Sequence, residues 1–262
     1  LDSGWIQMYV EDAQESLDMA LMSYYIAEHT DVMVPVMVNL DGFVLTHTYE
    51  AVDIPTQSQA DEFLPTYVTD NKMDLDNPVN MGFSVGPADN EEFHLLHHKA
   101  MLRVKDVVKE ADERFKKIFG RSHGTMTQGY RIEDAEYILI TLGSITGIAR
   151  EVVDELRDRG VKVGVLKIRF VRPFPHEEIA ALVKGAKAIG TLEKDISFGY
   201  EGTVYTNVNS ALIRNGVLVP SYNFIGGLGG RDISYEDIKE CFGTLIKGNE
   251  EKEVWVLLYS FS

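Results

Sequence analysis

The sequence predicts an α/β fold built on a parallel sheet, and three observations carry that prediction. Residues 137–175 read as strand, turn, helix and strand. An apolar run at 137–142 meets a turn at Gly143 and Ser144, and Ile145, Ile148, Ala149, Val152, Val153 and Leu156 follow at helical spacing. Gly160 stands where a helix C-terminal glycine belongs, a second apolar run fills 161–171, and Pro173 and Pro175 stop it. Two near-continuous apolar strands joined by a crossover helix fit a parallel sheet covered on both faces.

Ahead of this unit, residues 14–29 set Leu17, Met19, Ala20, Leu21, Tyr24 and Ile26 on a broad helical face, with Glu11 and Asp12 suited to the positive end of the helix dipole. Residues 32–40, VMVPVMVNL, carry no charge and predict a buried strand that Pro35 starts or interrupts where no ladder donor is needed. Asp41, Gly42 and Phe43 end it in a loop, and loops at strand C-termini are where doubly wound sheets read ligands. Residues 48–86, with Pro55, Pro65, Pro78 and a DLDNP cluster, predict a long irregular excursion that is functional or packs on a partner. Helical spacing returns over 91–119, where Phe93, Leu96, Ala100, Val104, Val107, Val108, Ala111, Phe115 and Phe119 form a stripe. The break at 120–124 places a domain boundary between 120 and 130.

Beyond the crossover the pattern predicts a helix at 176–184, a strand at 188–192, a glycine-bearing loop at 197–202, a helix at 204–215 and a strand at 219–225. A last helix starts at Ser234 as N-cap with Asp237 three residues on. The apolar tail at 254–261 predicts a terminal edge strand or an interface piece. The net charge of −16 lacks the basic face that a phosphate backbone requires, so nucleic acid is not an expected partner. No stretch approaches the roughly 20 apolar residues that cross a bilayer, so no membrane is expected. The single cysteine, Cys241, rules out a disulfide framework and any iron–sulfur cluster or cysteine-rich zinc site held by this chain alone. It is expected to be a small buried residue in a protein of the reducing cytoplasm. Leu1 opens on what reads as the inside of a domain, so further residues are expected upstream.

Three motifs carry chemistry. The GSITG turn at 143–147 could hold a phosphate on backbone amides, or its glycines could serve only a tight turn; neither a G-x-G-x-x-G nor a Walker lysine is present. Gly226, Gly227, Gly229 and Gly230 let a backbone pass close to a second polypeptide or a ligand, and Arg231 and Asp232 suit charge pairing that anchors the following helix. His94 and His98 share a helix face with His97 beside them, but the acid of H-E-x-x-H is missing and a partner-facing surface is the expected reading; no metal site is expected. His47 stands between a functional and a structural role.

The ordered set DSGW at 2–5, NLDGFVLTH at 39–47, the KIRFVRPFP end of the crossover at 167–175, ISFG at 196–199 and GGLGGRD at 226–232 resembles the α chain of 2-oxoacid:ferredoxin oxidoreductases, above all the pyruvate:ferredoxin oxidoreductases. The resemblance implies a partial thiamine-diphosphate-binding pyrimidine-type domain at 1–122 that lacks its N-terminal part. A transketolase C-terminal-like parallel α/β domain would follow at 130–245, with a tail at 246–262. It implies oxidative decarboxylation of a 2-oxoacid to its acyl-CoA with electrons passing to ferredoxin. Pyruvate is the leading substrate, with oxalate or a branched-chain 2-oxoacid as the alternative. Against this stands a noncatalytic α/β assembly module or a free-standing nucleotide enzyme using the Gly143 turn. Thiamine diphosphate would be shared with a β chain that binds it, Mg2+ and [4Fe-4S] clusters would lie on partner chains including a γ chain and a ferredoxin-like δ chain, and coenzyme A would be co-substrate. No residue of this chain is assigned a certain catalytic role. Asp2, Ser3 and Gly4 would lie nearest the reacting centre, Asp41 and His47 further out, and Gly143, Ser144, Gly226, Gly227, Gly229, Gly230, Arg231 and Asp232 in structural or interface loops. The family's activating glutamate falls upstream of DSGW, and Leu1 stands where its carboxylate-binding arginine tends to be.

Overall fold

The computed structural model describes residues 2–82 and 84–256. Strand β1 (Ile6–Tyr9) leads through helix α1 (Ala13–Ala27) to β2 (Val36–Asn39), parallel to β1 with Ile6 opposite Val36. Asp12 caps α1 by accepting the Glu15 amide at 2.7 Å. Pro35 falls just before β2, where no donor is lost. The strand is not buried as expected: Met37 is 36% exposed, because β2 lies at the edge of the three-stranded order β2-β1-β6 among the described residues.

A single turn, α2 (Val44–His47), follows the Asp41 loop, and α3 (Gln57–Phe63) interrupts the excursion expected to be irregular. A Thr56/Gln59 capping box starts α3, and buried Phe63 anchors it edge-on against Phe115 at 5.3 Å between ring centres. Helix α4 (Pro87–Phe119) runs 33 residues and ends at Gly120 with φ +73°. Its stripe is buried only from Met101 onward, through Val104, Val107, Val108, Ala111 and Phe115; Phe93 and Leu96 remain half exposed. At 1.5 Å per residue the helix is about 50 Å long.

The second sheet comprises β3 (Thr127–Tyr130), β4 (Tyr137–Thr141), then α5 (Ile145–Asp158) and β5 (Val163–Ile168). After β6 (Phe170–Arg172) and α6 (His176–Val183) come β7 (Ala188–Glu193), α7 (Thr203–Arg214), β8 (Ser221–Ile225), α8 (Tyr235–Lys247) and β9 (Glu253–Trp255). The order is β3-β5-β4-β7-β8-β9, parallel except for β3, which runs antiparallel to β5. Leu139 of β4 packs with α5 and α8 on one face, and Ile138 and Ile140 pack with α6 and α7 on the other. Cys241 is buried among the first group, and burial raises its thiol pKa. β9 makes the expected terminal edge; the tail at 257–262 lies outside the described residues.

The apolar run at 161–171, expected to be one strand, is two. β5 belongs to the large sheet, while β6 pairs antiparallel with β1 of the small one. Lys167, near the end of β5, and Arg169, between the two strands, have side chains that are 1% exposed. Both reach Glu15 of α1: Lys167 Nζ lies 2.5 Å from Oε2 and Arg169 Nε 2.6 Å from Oε1. Lys167 also meets Glu11 at 2.8 Å, and Arg150 of α5 pairs with the same carboxylate. Buried charges persist only when paired in this way, so the two sheets are tied through Glu15, with Glu11 beside it. Asp18, one turn further along α1, ties the helix to the segment between α4 and β3 by accepting Arg121 Nε and Nη2 at 2.7 Å and His123 Nε2 at 2.8 Å.

Burial raises the Glu15 pKa, but Arg169 and Lys167 outweigh it and hold the carboxyl at about 2 rather than 4.5. A depressed carboxyl contributes stability above its unfolded pKa and loses it as pH falls through the folded one, here roughly 3 kcal/mol between pH 4.5 and 2. Urea unfolding of Glu15→Gln should show a shallower acid limb across that window, with lower stability at neutral pH because two cations lose their partner. An acid limb equal to the wild type would contradict the pairing.

Candidate functional site at the seam of the two sheets

Strand order reverses between β4 and β7, so their C-terminal ends diverge into a crevice of the kind that binds ligands in open α/β sheets. A cavity of about 550 Å³ lies there, closed from the first sheet by Ser3, Tyr9 and Asp41 and from the second by Leu142, Glu193 and Thr203. Glu193 is the group that the sequence reading missed. Its carboxylate accepts the amides of Val204 at 2.8 Å and Tyr205 at 3.1 Å at the start of α7, and Asn223 Nδ2 at 3.0 Å. Burial pushes its pKa up to about 7 against the lowering effect of those donors. Gly202 has to be glycine because the Glu193 carboxylate occupies the space a Cβ would take.

The Gly143 and Ser144 turn is filled by the protein itself. Asp41 Oδ2 accepts Ser144 N at 2.7 Å and Ser144 Oγ at 2.5 Å, and Lys194 Nζ stands 3.5 Å away. Gly143 has φ +70°, and a Cβ there would lie 2.7 Å from Asp41 Oδ2. An internal carboxylate therefore takes the place a phosphate would need at the start of α5. Beside this contact, Gly227, Gly229, Gly230, Arg231 and Asp232 line a neighbouring cleft together with Asp41 and Ser144. A Cβ on Gly227 would press on Lys194 at 3.0 Å, so this loop needs its glycine to cross the lysine stem.

Asp2, Ser3 and Gly4 gather elsewhere, in a cleft between α4 and the corner after β6. Gly4 has φ +78°, and its carbonyl accepts His97 Nε2 at 2.6 Å, which pins the motif to α4. Ser3 lines both this cleft and the crevice cavity and so stands on the wall between them. The Asp2 side chain is 99% exposed. His47 joins neither group: it stacks on Phe43 at 5.0 Å and meets Thr46 Oγ1 at 2.8 Å. His94 Nδ1 donates to Asn90 O at 2.8 Å, and among the described residues no three His, Cys, Asp or Glu side chains converge as metal ligands would. The KIRFVR pattern was the available signal for the buried cations; nothing local pointed to Glu193 or to the His97 contact.

This arrangement of a small sheet tied to a doubly wound α/β sheet has a solved counterpart. The 2-oxoglutarate:ferredoxin oxidoreductase of Magnetococcus marinus, solved with 2-oxoglutarate, coenzyme A and succinyl-CoA bound, superposes with a TM-score of 0.61 over 92% of this chain and 42% of that one, at 18% identity. In sequence, residues 1–113 match the family described as pyruvate flavodoxin/ferredoxin oxidoreductase, thiamine diP-bdg, and residues 135–238 match pyruvate:ferredoxin oxidoreductase core domain II. The chain belongs to the 2-oxoacid:ferredoxin oxidoreductase family, as an α chain. Pyruvate synthase subunit PorA of Methanothermobacter thermautotrophicus is 46% identical over 239 residues, covering 91% of this chain and 61% of the relative. PorA of Pyrococcus abyssi is 41% identical over 97% of this chain and 66% of its own length, and ketoisovalerate oxidoreductase subunit VorA of Pyrococcus horikoshii is 40% identical over 97% and 65%. The chain thus spans about three fifths of the length of the first of these.

Gly143 and Gly147, four residues apart, separate the two roles a glycine can have here. Gly143→Ala should cost about 1–3 kcal/mol through the left-handed backbone and the clash with Asp41. Gly147 sits inside α5 with nothing within 4 Å of its added Cβ, so Gly147→Ala should be neutral or stabilise by up to about 1 kcal/mol. Equal melting temperatures for the two variants would refute the self-capped turn.

Proposed function

We propose that the chain is the α subunit of a thiamine-diphosphate-dependent pyruvate:ferredoxin oxidoreductase. The supporting observation is the order of the two family matches along a chain in which Ser3 of the DSGW motif stands on the wall of the cavity at the seam of its two sheets. In the assembled enzyme a 2-oxoacid, coenzyme A and two oxidised ferredoxins give the acyl-CoA, CO2, a proton and two reduced ferredoxins. Thiamine diphosphate, when bound, supplies the carbanion chemistry. The Gly143 turn is taken up by Asp41, which supports a diphosphate and Mg2+ held by the thiamine-diphosphate-binding β chain; the [4Fe-4S] clusters lie on partner chains, and a γ chain and a ferredoxin-like δ chain complete a cytoplasmic complex. Asp2 and Ser3 face the reacting centre, Gly4 sets their backbone through His97, and Asp41 acts as a positioning residue that holds its loop on Ser144. The glycine loop with Arg231 and Asp232 faces a partner chain. VorA, at 40% identity, favours a branched-chain 2-oxoacid as the second reading of the substrate.

Viologen-dye reduction by the assembled complex tests this reading. Pyruvate should be turned over in a reaction that needs both thiamine diphosphate and coenzyme A. Asp2→Ala and Ser3→Ala should lower kcat/KM or change oxoacid preference about tenfold or more, with little change in melting temperature, since both side chains sit at a cleft rim. Arg231→Ala should instead weaken assembly in gel filtration while the remaining complex keeps its turnover. Absence of dye reduction with every 2-oxoacid would overturn the function, and unchanged kinetics in both motif variants would remove those residues from the site.

A further inference from the structure

The chain carries a net charge of −16, yet one cleft opposes that sign. It measures about 690 Å³ and lies between the exposed N-terminal half of α4, the corner after β6 and the end of α7. Lys105, Arg172 and Arg214 line it with four imidazoles, and Asp2 is the one acid among its described lining residues. Lys105 is paired, but the two guanidiniums are not closed into tight ion pairs. Arg172 donates Nη1 to its neighbour Val171 O at 2.7 Å, and its nearest acid is the fully exposed Asp2, 4.0 Å from Nη2. Among the described residues no carboxylate pairs with Arg214. A single carboxylate, Glu177, serves both Lys105 at 2.6 Å and His176 at 3.4 Å.

The cluster repels itself. After burial, the charges of Lys105 and Arg214 are what lower the His176 pKa, so all three groups share one field. Like charges gathered along a concave wall raise the local potential and favour a counter-anion. A monocarboxylate would satisfy one guanidinium; two guanidiniums and an ammonium set across a ligand-sized cleft suit several anionic groups on one molecule. Guanidiniums further provide the paired N–H donors that match phosphate oxygens. We infer that this cleft binds the phosphate groups of a small, diphosphate-bearing ligand. Coenzyme A and free adenine nucleotides both carry that chemistry. The cleft also holds Asp2, Ser3 and Gly4, so the inference adds a ligand beside the proposed reacting centre. It is read by binding and the oxidoreductase reading by turnover, and either can fail alone.

Isothermal titration of inorganic pyrophosphate into the full chain at low ionic strength tests it without any turnover. One site is expected, weakening with added salt and by about tenfold in Arg172→Ala and in Arg214→Ala, as loss of a charge-assisted contact requires. Arg214 is exposed, so its variant keeps the test decisive even if Arg172→Ala fails to fold. Lys184→Ala, an exposed lysine outside the cleft, should bind as the wild type does. Displacement of pyrophosphate by coenzyme A, or by ATP, would support the site and identify the carrier. Absence of binding at millimolar pyrophosphate, insensitivity to both arginine changes, or stronger displacement by pyruvate or an acidic peptide would overturn it.

Discussion

The carboxylate of Glu15, buried between Lys167 and Arg169, is the constraint on which the rest of the structure depends. Buried ion pairs are weak contributors to net stability, because desolvation offsets most of their attraction, but an unpaired member is costly. Their effect is therefore to select one arrangement. Glu15 belongs to the small sheet's helix α1, and its two partners belong to the strand run that enters the large sheet. The run can leave β5 and reach β1 only where both cations still meet that carboxylate. This places Arg172 opposite Gln7, and with it the corner that faces Asp2 and Ser3.

A second consequence concerns anion sites. The crevice between β4 and β7 has the topology that binds ligands in many α/β proteins, and the start of α5 is an anion-ready turn. Here Asp41 fills that turn from the small sheet, and Glu193 fills the start of α7 from within the large one. Both helix starts are thus satisfied internally, which suits a unit that serves as scaffold. The open cationic chemistry is displaced to the cleft beside the DSGW motif, where Arg172 and Arg214 keep donors available.

Local rules made much of the fold legible. The crossover from β4 through α5 to β5 was readable because its apolar periods of two and 3.6 are both uninterrupted, and Ser234 with Asp237 marked the start of α8 by a capping box that the structure forms. The same box at Thr56 and Gln59 marked α3 but was hidden by the surrounding prolines and polar residues. What could not be read locally depended on distant partners. The split of 161–171 into two strands follows from carboxylates about 150 positions earlier, and the half-exposure of β2 follows from its place at a sheet edge. The residues of the candidate site were named by motif, but their grouping was not: Asp41 sits with Ser144, Ser3 with Glu193 and Arg172, and His47 with Phe43.

The central proposal is that this chain forms one wall of a coenzyme site completed by a partner subunit. A structure of the assembled complex with thiamine diphosphate bound tests it most directly. The coenzyme's reacting ring should lie against Ser3 and its neighbours, with the diphosphate held by the partner. A coenzyme enclosed by this chain alone, or bound far from residues 2–4, would contradict the claim.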